Sequence, residues 1–148
     1  AGTVGLTPMF YGLLAGGVWN LQRAHNLLDG AMPFYRIYRC ADDRFVAVGP
    51  LEPKFYRELL DVTGLLGEID PKDQYRPQTW PATTAKFEQR FATRTRDEWA
   101  RIADDRDACL APVLDFAEAA RDEHNLANGL YRAEPFAQPD RTIRFDEG

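Results

Sequence analysis

The chain has 148 residues, 45% hydrophobic and 28% charged, which suits a single globular core near the commonest domain size. Its net charge is -5 and no stretch gathers Lys or Arg on one face, so a nucleic-acid partner is set aside. No run of about 18 apolar residues is present, and this excludes an apolar membrane span.

Residues 1–19 are small and apolar but lack the basic start of a secretion signal, and position 1 is Ala1 rather than Met. The expectation is an N-terminus cut from a longer polypeptide. Cys40 and Cys109 are far apart and form no dense cysteine framework. Two free thiols are expected, in a cytoplasmic protein, or a peroxisomal or mitochondrial one if the source is eukaryotic.

Taken in chain order, residues 3–19 read as a helix weakened by Gly12, Gly16 and Gly17. Residues 33–40 read as a strand carrying Phe34, Tyr35, Ile37 and Tyr38. Ala41-Asp42-Asp43-Arg44 supplies turn chemistry, and residues 45–48 return as the second strand of a hairpin. Pro53 suits the first turn of a helix, with Phe55, Leu59, Leu60 and Val62 at helical spacing and Gly64 or Gly67 to end it.

Residues 70–79 are polar, hold Pro71 and Pro77, and read as a surface loop. Three helices follow. One starts near Pro81 with Phe87 and Phe91 four residues apart, and a second opens on the capping box Thr95-Arg96-Asp97-Glu98 and turns Trp99 and Ile102 inward. A third starts at Asp115-Phe116-Ala117-Glu118, with the spacing of a reciprocal cap. Between the last two, residues 110–114 form an apolar run interrupted by Pro112, which reads as a short edge strand. The tail, 131–148, mixes strand-like pieces with Pro135 and Pro139. The fold class is α+β: a β-hairpin and short strands packed with several helices.

Glu52 is the strongest candidate for chemistry. It stands where an apolar strand stops and a helix starts, a place from which side chains often project into a cleft. A carboxylate there can orient and charge-stabilise a catalytic His, or act as a base itself. The plainer explanation is an acid favoured by the dipole at a helix N-terminus. Leu28, Tyr35 and Leu51 are core residues by default, and Trp19, Trp80 and Trp99 read as packing residues. Asp29-Gly30 and Asp42-Asp43 are turn signals.

His25 and His124 are the only histidines, and neither belongs to a metal-binding pattern, so no metal site is expected. His124 lies in a charged stretch and reads as solvated surface. Neither cysteine has a His in recognisable context for nucleophilic catalysis. Gly-rich phosphate loops and G-x-S-x-G elbows are missing as well. By itself the chain contains no complete catalytic set.

Several segments carry a resemblance: Asn26-Leu27-Leu28-Asp29-Gly30, Pro33-Phe34-Tyr35, Phe45-Val46-Ala47-Val48-Gly49, Leu51-Glu52-Pro53-Lys54-Phe55-Tyr56 and Asp107-Ala108-Cys109-Leu110-Ala111-Pro112-Val113-Leu114. With them the chain resembles the 2-methylacyl-CoA racemases of the family III CoA-transferase superfamily, over roughly residues 19–134. The Glu-Pro-Lys-Phe-Tyr piece is the part most specific to the racemase branch.

In enzymes of this type a large Rossmann-like domain binds coenzyme A and supplies the His and Asp that exchange the α-proton. A smaller domain closes over the acyl group, and two subunits interlock as a homodimer. This chain is similar to the smaller domain, so neither His25 nor His124 inherits the catalytic role. The resemblance implies that residues 1–20 are a helix linking to a missing large domain, 21–134 the acyl-covering domain, and 135–148 a tail returning toward the large domain. It further implies that Glu52 is the acid hydrogen-bonded to the catalytic His, and that Leu28, Tyr35 and Leu51 lie near the apolar acyl surface.

The substrate implied is an acyl-CoA thioester; coenzyme A is part of that substrate, and no separate cofactor is expected. Ala31 stands where the family often has Gly, and Pro50 where it often has Ala. Ala31 restricts the backbone if φ must be positive there, and Pro50 stiffens the approach to Glu52. Two alternatives stand beside the racemase reading: a CoA-transferase of the same superfamily, and a non-catalytic acyl-CoA-binding or dimerisation module.

Overall fold

A β-hairpin organises the first part of the chain. Strand β1 (Arg36–Arg39) pairs antiparallel with β2 (Phe45–Val48), with Arg36 opposite Val48 and Arg39 opposite Phe45. The turn between them places Asp43 in the left-handed region at φ 61, which Asp tolerates better than most residues. A third strand, β3 (Leu110–Pro112), pairs antiparallel with β2 from its other side, giving the order β1-β2-β3. β3 is therefore an edge strand, as the proline within that run anticipates.

The structure, a computed structural model, describes residues 2–5, 7–132 and 138–139. It falls into two compact units, Ala1–Pro112 and Val113–Gly148. In the first unit the sheet alternates. Tyr38, Val46 and Val48 are buried, while Ile37 and Phe45 are exposed. Helices α3 (Pro53–Val62), α4 (Trp80–Phe91) and α5 (Arg96–Ala103) contribute Tyr56, Leu59, Leu60, Phe87, Phe91 and Trp99 to the same core as the buried sheet residues.

Aromatic rings fill much of that core. Tyr38 stacks on Phe91 with centroids 4.9 Å apart, and Phe91 meets Trp99 edge-on at 5.2 Å. The Trp99 indole N–H, which needs a partner once buried, donates to the Phe91 carbonyl at 3.0 Å.

The helix signals in the sequence hold for α3, which starts on Pro53 and is closed beyond Val62 by Gly64 at φ 70. They hold also for α5, whose reciprocal Thr95–Glu98 capping box is formed. Other expectations need correction. The expected helix over residues 3–19 is instead two short ones, α1 (Gly2–Gly5) and α2 (Pro8–Ala15). The strand expected from residue 33 begins at Arg36, because residues 32–35 form a turn in which Tyr35 N–H donates to the Met32 carbonyl at 3.1 Å.

Ile102 is 36% exposed instead of turned inward, since the buried stripe of α5 runs through Arg96, Trp99 and Ala103. Asp42 does more than shape a turn: its carboxylate also accepts from the Arg96 backbone N–H at 3.2 Å, tying the start of α5 to the hairpin. The 70–79 loop consists of two 3-10 turns, Pro71–Asp73 and Pro77–Thr79, with Gln74 buried between them.

In the second unit, α6 (Phe116–Ala119) carries the second expected capping box, between Asp115 and Glu118. It lasts four residues and is followed by α7 (Glu123–Ala127), whose Asp122 cap accepts from Asn125 N–H at 3.0 Å. β4 (Tyr131–Arg132) pairs antiparallel with β5 (Gln138–Pro139); the rest of the expected tail lies outside the described residues. Among the described residues no helix is long and apolar enough to cross a membrane, and no group of His, Cys, Asp and Glu could hold a metal ion.

Candidate functional site

The outward face of the sheet carries a row of small and apolar side chains, because Ile37, Ala47 and Ala111 pair across the three strands. They floor an open cleft of about 700 Å³. Leu28 and Tyr35 line the same cleft, and Arg23, Asp29 and Arg36 supply its polar lining.

The loop that brings Leu28 there is knotted by Asn26, which is only 5% exposed. Its side-chain amide donates to Asp29 Oδ2 at 2.7 Å and to the Asn20 carbonyl at 2.9 Å. Its side-chain oxygen accepts from Asn20 N–H at 2.6 Å. Asp29 in turn accepts from Asn26 N–H at 2.8 Å. Desolvation raises the Asp29 pKa, but hydrogen bonds from the Asn26 side chain and from the backbones of Asn26, His25 and Ala31 outweigh it and hold the carboxyl below its usual range. Gly30 provides the positive φ of 94 that closes the loop, so Ala31 is spared a left-handed conformation.

At one end the cleft reaches Gly49 and Cys109. Cys109 takes φ 47, and its carbonyl accepts from Gly49 N–H at 3.0 Å. Its thiol pKa is raised, first by burial and then by the negative charges of Glu52 and Asp107. The Tyr75 phenol is likewise raised by burial and by Glu52. Glu52 therefore lies within electrostatic reach of both Cys109 and Tyr75. Cys40 is buried, and both cysteines are free, as the sequence suggested.

Glu52 is exposed and occupies the N-cap position of α3 at φ -75 and ψ 139, yet its side chain makes no capping hydrogen bond. The dipole at the N-terminus of α3 favours an acid here without any such bond, and the carboxylate is left uncommitted to a cap. Two residues that sequence reasoning missed stand behind it. Gln74 Nε2 donates to the Pro50 and Leu51 carbonyls, each at 3.0 Å, and the Tyr75 hydroxyl donates to the Leu51 carbonyl. Nothing in the polar, proline-flanked 70–79 segment singles these two out.

Leu28 and Tyr35 share the cleft, whereas Leu51 is half-buried against the core and, like Glu52, stands outside the cleft lining. Leu28 is 52% exposed, which its default reading as core does not anticipate. His25 is exposed, with Nδ1 2.9 Å from the Arg23 carbonyl, and His124 is exposed too.

This α+β arrangement has a counterpart among solved structures. The crystal structure of Rv3272 from Mycobacterium tuberculosis matches 96% of this chain and 37% of its own with a TM-score of 0.66 at 14% identity. The sequence pattern described as CoA-transferase family III matches residues 5–145, and the chain belongs to that family.

Relatives similar in sequence include two racemases. Alpha-methylacyl-CoA racemase of Mus musculus is 43% identical over 124 residues, covering 84% of this chain and 32% of the relative. Alpha-methylacyl-CoA racemase of Homo sapiens is 39% identical over 130 residues, covering 88% of this chain and 34% of the relative. The chain thus spans roughly a third of the length of these curated relatives.

Proposed function

We propose that this chain is the small, acyl-covering part of a racemase that interconverts the 2R and 2S epimers of 2-methylacyl-CoA thioesters. The observation that carries the reading is 39–43% identity to two alpha-methylacyl-CoA racemases over more than four-fifths of the chain. In this reading residues 1–20 lead from a large domain, 21–134 cover the acyl group, and 135–148 return toward the large domain. The protein works as an interlocked homodimer in the cytoplasm, or in peroxisomes or mitochondria of a eukaryote. It needs no cofactor beyond the coenzyme A of its substrate.

Racemisation removes the proton α to the thioester carbonyl and returns one from the opposite face. It needs two acid/base groups flanking the carbon and stabilisation of an enolate-like intermediate. The large domain supplies that His and Asp. Glu52 of this chain hydrogen-bonds the His, fixes its tautomer and offsets its charge when it is protonated. The absence of a side-chain cap bond at Glu52 supports this role, because the carboxylate is not committed to α3. Leu28, Tyr35 and Leu51 contribute the apolar surface for the acyl chain, a role that the cleft against the Ile37–Ala47–Ala111 row suits for the first two.

The test is racemisation by the intact protein carrying Glu52→Gln, an exchange that keeps the shape and removes the charge. A loss of about 10²-fold in kcat is expected, the usual scale of a general acid–base contribution. Wild-type racemisation by the variant would contradict the role.

A further inference from the structure

We infer that Gln74 is a positioning residue for the Glu52 carboxylate, acting through the backbone just before it; this rests on the racemase reading above. Glu52 has no side-chain cap bond to aim it, so its direction depends on the path of the chain at residues 50–52. Pro50 fixes φ there but has no N–H with which to anchor the segment. The anchor comes from Gln74, more than twenty residues away in sequence, whose single amide nitrogen holds the Pro50 and Leu51 carbonyls at 3.0 Å each. Gln74 is itself 3% exposed, and its backbone carbonyl accepts from the Trp80 indole N–H at 2.8 Å. Tyr75 adds a second donor on the Leu51 carbonyl.

The orientation of the amide is dictated by its surroundings. Turning it over would press Oε1 against two carbonyl oxygens, so Oε1 faces the other way, where it is buried and has no hydrogen-bond partner among the described residues. A buried acceptor without a partner is unfavourable, and an apolar side chain of similar size would avoid it. Such a side chain could not hold the two carbonyls. What the amide does for the fold is thus concentrated on the two residues that deliver Glu52. Misplacing a catalytic group by about 1 Å can cost up to about 10²-fold in rate, so a tether of this kind bears directly on turnover.

The experiment is a double-mutant cycle in the intact protein with a 2-methylacyl-CoA substrate, comparing wild type, Gln74→Met, Glu52→Gln and the double variant. Gln74→Met is expected to lower kcat about 10-fold with KM within about twofold, as a misaimed group acting in the transition state should. In the Glu52→Gln background the same change is expected to cost less than about twofold, because no charged group remains to be aimed. Tyr75→Phe, at a half-exposed position, repeats the cycle should Gln74→Met fail to fold; a loss of about threefold is expected, again confined to the Glu52 background.

A full Glu52→Gln defect with no effect of Gln74→Met overturns the inference and leaves the racemase reading standing. Equal losses in both backgrounds also overturn it, since they mark general loosening of the fold. Full activity of Glu52→Gln removes the role of Glu52 itself, and the inference with it.

Discussion

Replacing Asn26 with Ala should open the loop that carries Leu28 without unfolding the core beneath it. Asn26 is 5% exposed, and its side chain makes three short hydrogen bonds: from Asn20 N–H at 2.6 Å, to the Asn20 carbonyl at 2.9 Å, and to Asp29 Oδ2 at 2.7 Å. At about 1 kcal/mol each they sum to about 3 kcal/mol. Asn20 is exposed and Asp29 half-buried, so both recover water contacts in the variant, which brings the expected loss to about 2 kcal/mol. That is roughly a 30-fold change in the local opening equilibrium.

Amide hydrogen exchange read by mass spectrometry reports it directly, because local openings are resolved from global unfolding. Residues 20–31 should exchange about 30-fold faster in Asn26→Ala. Peptides spanning α4 and α5 should be unchanged. Exchange over residues 20–31 within about twofold of wild type would refute the reasoning, as it would mean that the knot does not hold the loop.

Two further outcomes follow from charge. Cys109 should be alkylated more slowly at neutral pH than an unhindered cysteine, and faster in Glu52→Gln, because removing a nearby negative charge lowers its raised thiol pKa. Cys40, buried and pushed up to about 11 chiefly by desolvation, should resist the reagent in both proteins, and equal Cys109 rates would contradict its proximity to Glu52. Glu98 is held below its usual pKa, first by the backbone hydrogen bond of the Thr95 capping box and then by the Thr95 hydroxyl. A folded-state pKa below the unfolded value means stability that is complete above about 4.3 and lost as the pH falls through the lowered folded value. Denaturant titrations should therefore show a shallower acid decline for Glu98→Gln than for wild type, and coincident acid limbs would count against the capping box.

The parts of the fold legible in the sequence are those fixed by neighbours along the chain. Asp42-Asp43 between β-prone runs announced the hairpin, Pro53 and Gly64 bracketed α3, and Thr95–Glu98 and Asp115–Glu118 announced the starts of α5 and α6. Residues 33–35 misled because aromatic residues favour strands, yet here the chain turns so that Phe34 enters the core against Tyr56 and Trp80.

At the site, Glu52 stood out because an acid between an apolar strand and a helix is unusual. The Ile37–Ala47–Ala111 row did not, since it exists only once three strands pair. Gln74 was hidden for the same reason: its partners are more than twenty residues away, and the polar segment around it reads as solvent-exposed.

The proposed function requires that the intact protein exchange an α-proton and not transfer coenzyme A. The most direct measurement supplies the intact protein with one epimer of a 2-methylacyl-CoA in deuterated water, together with a second free carboxylic acid. Deuterium should enter at C2 as the 2R and 2S epimers equilibrate, with no new thioester formed. Transfer of coenzyme A to the added acid without deuterium at C2 would contradict it.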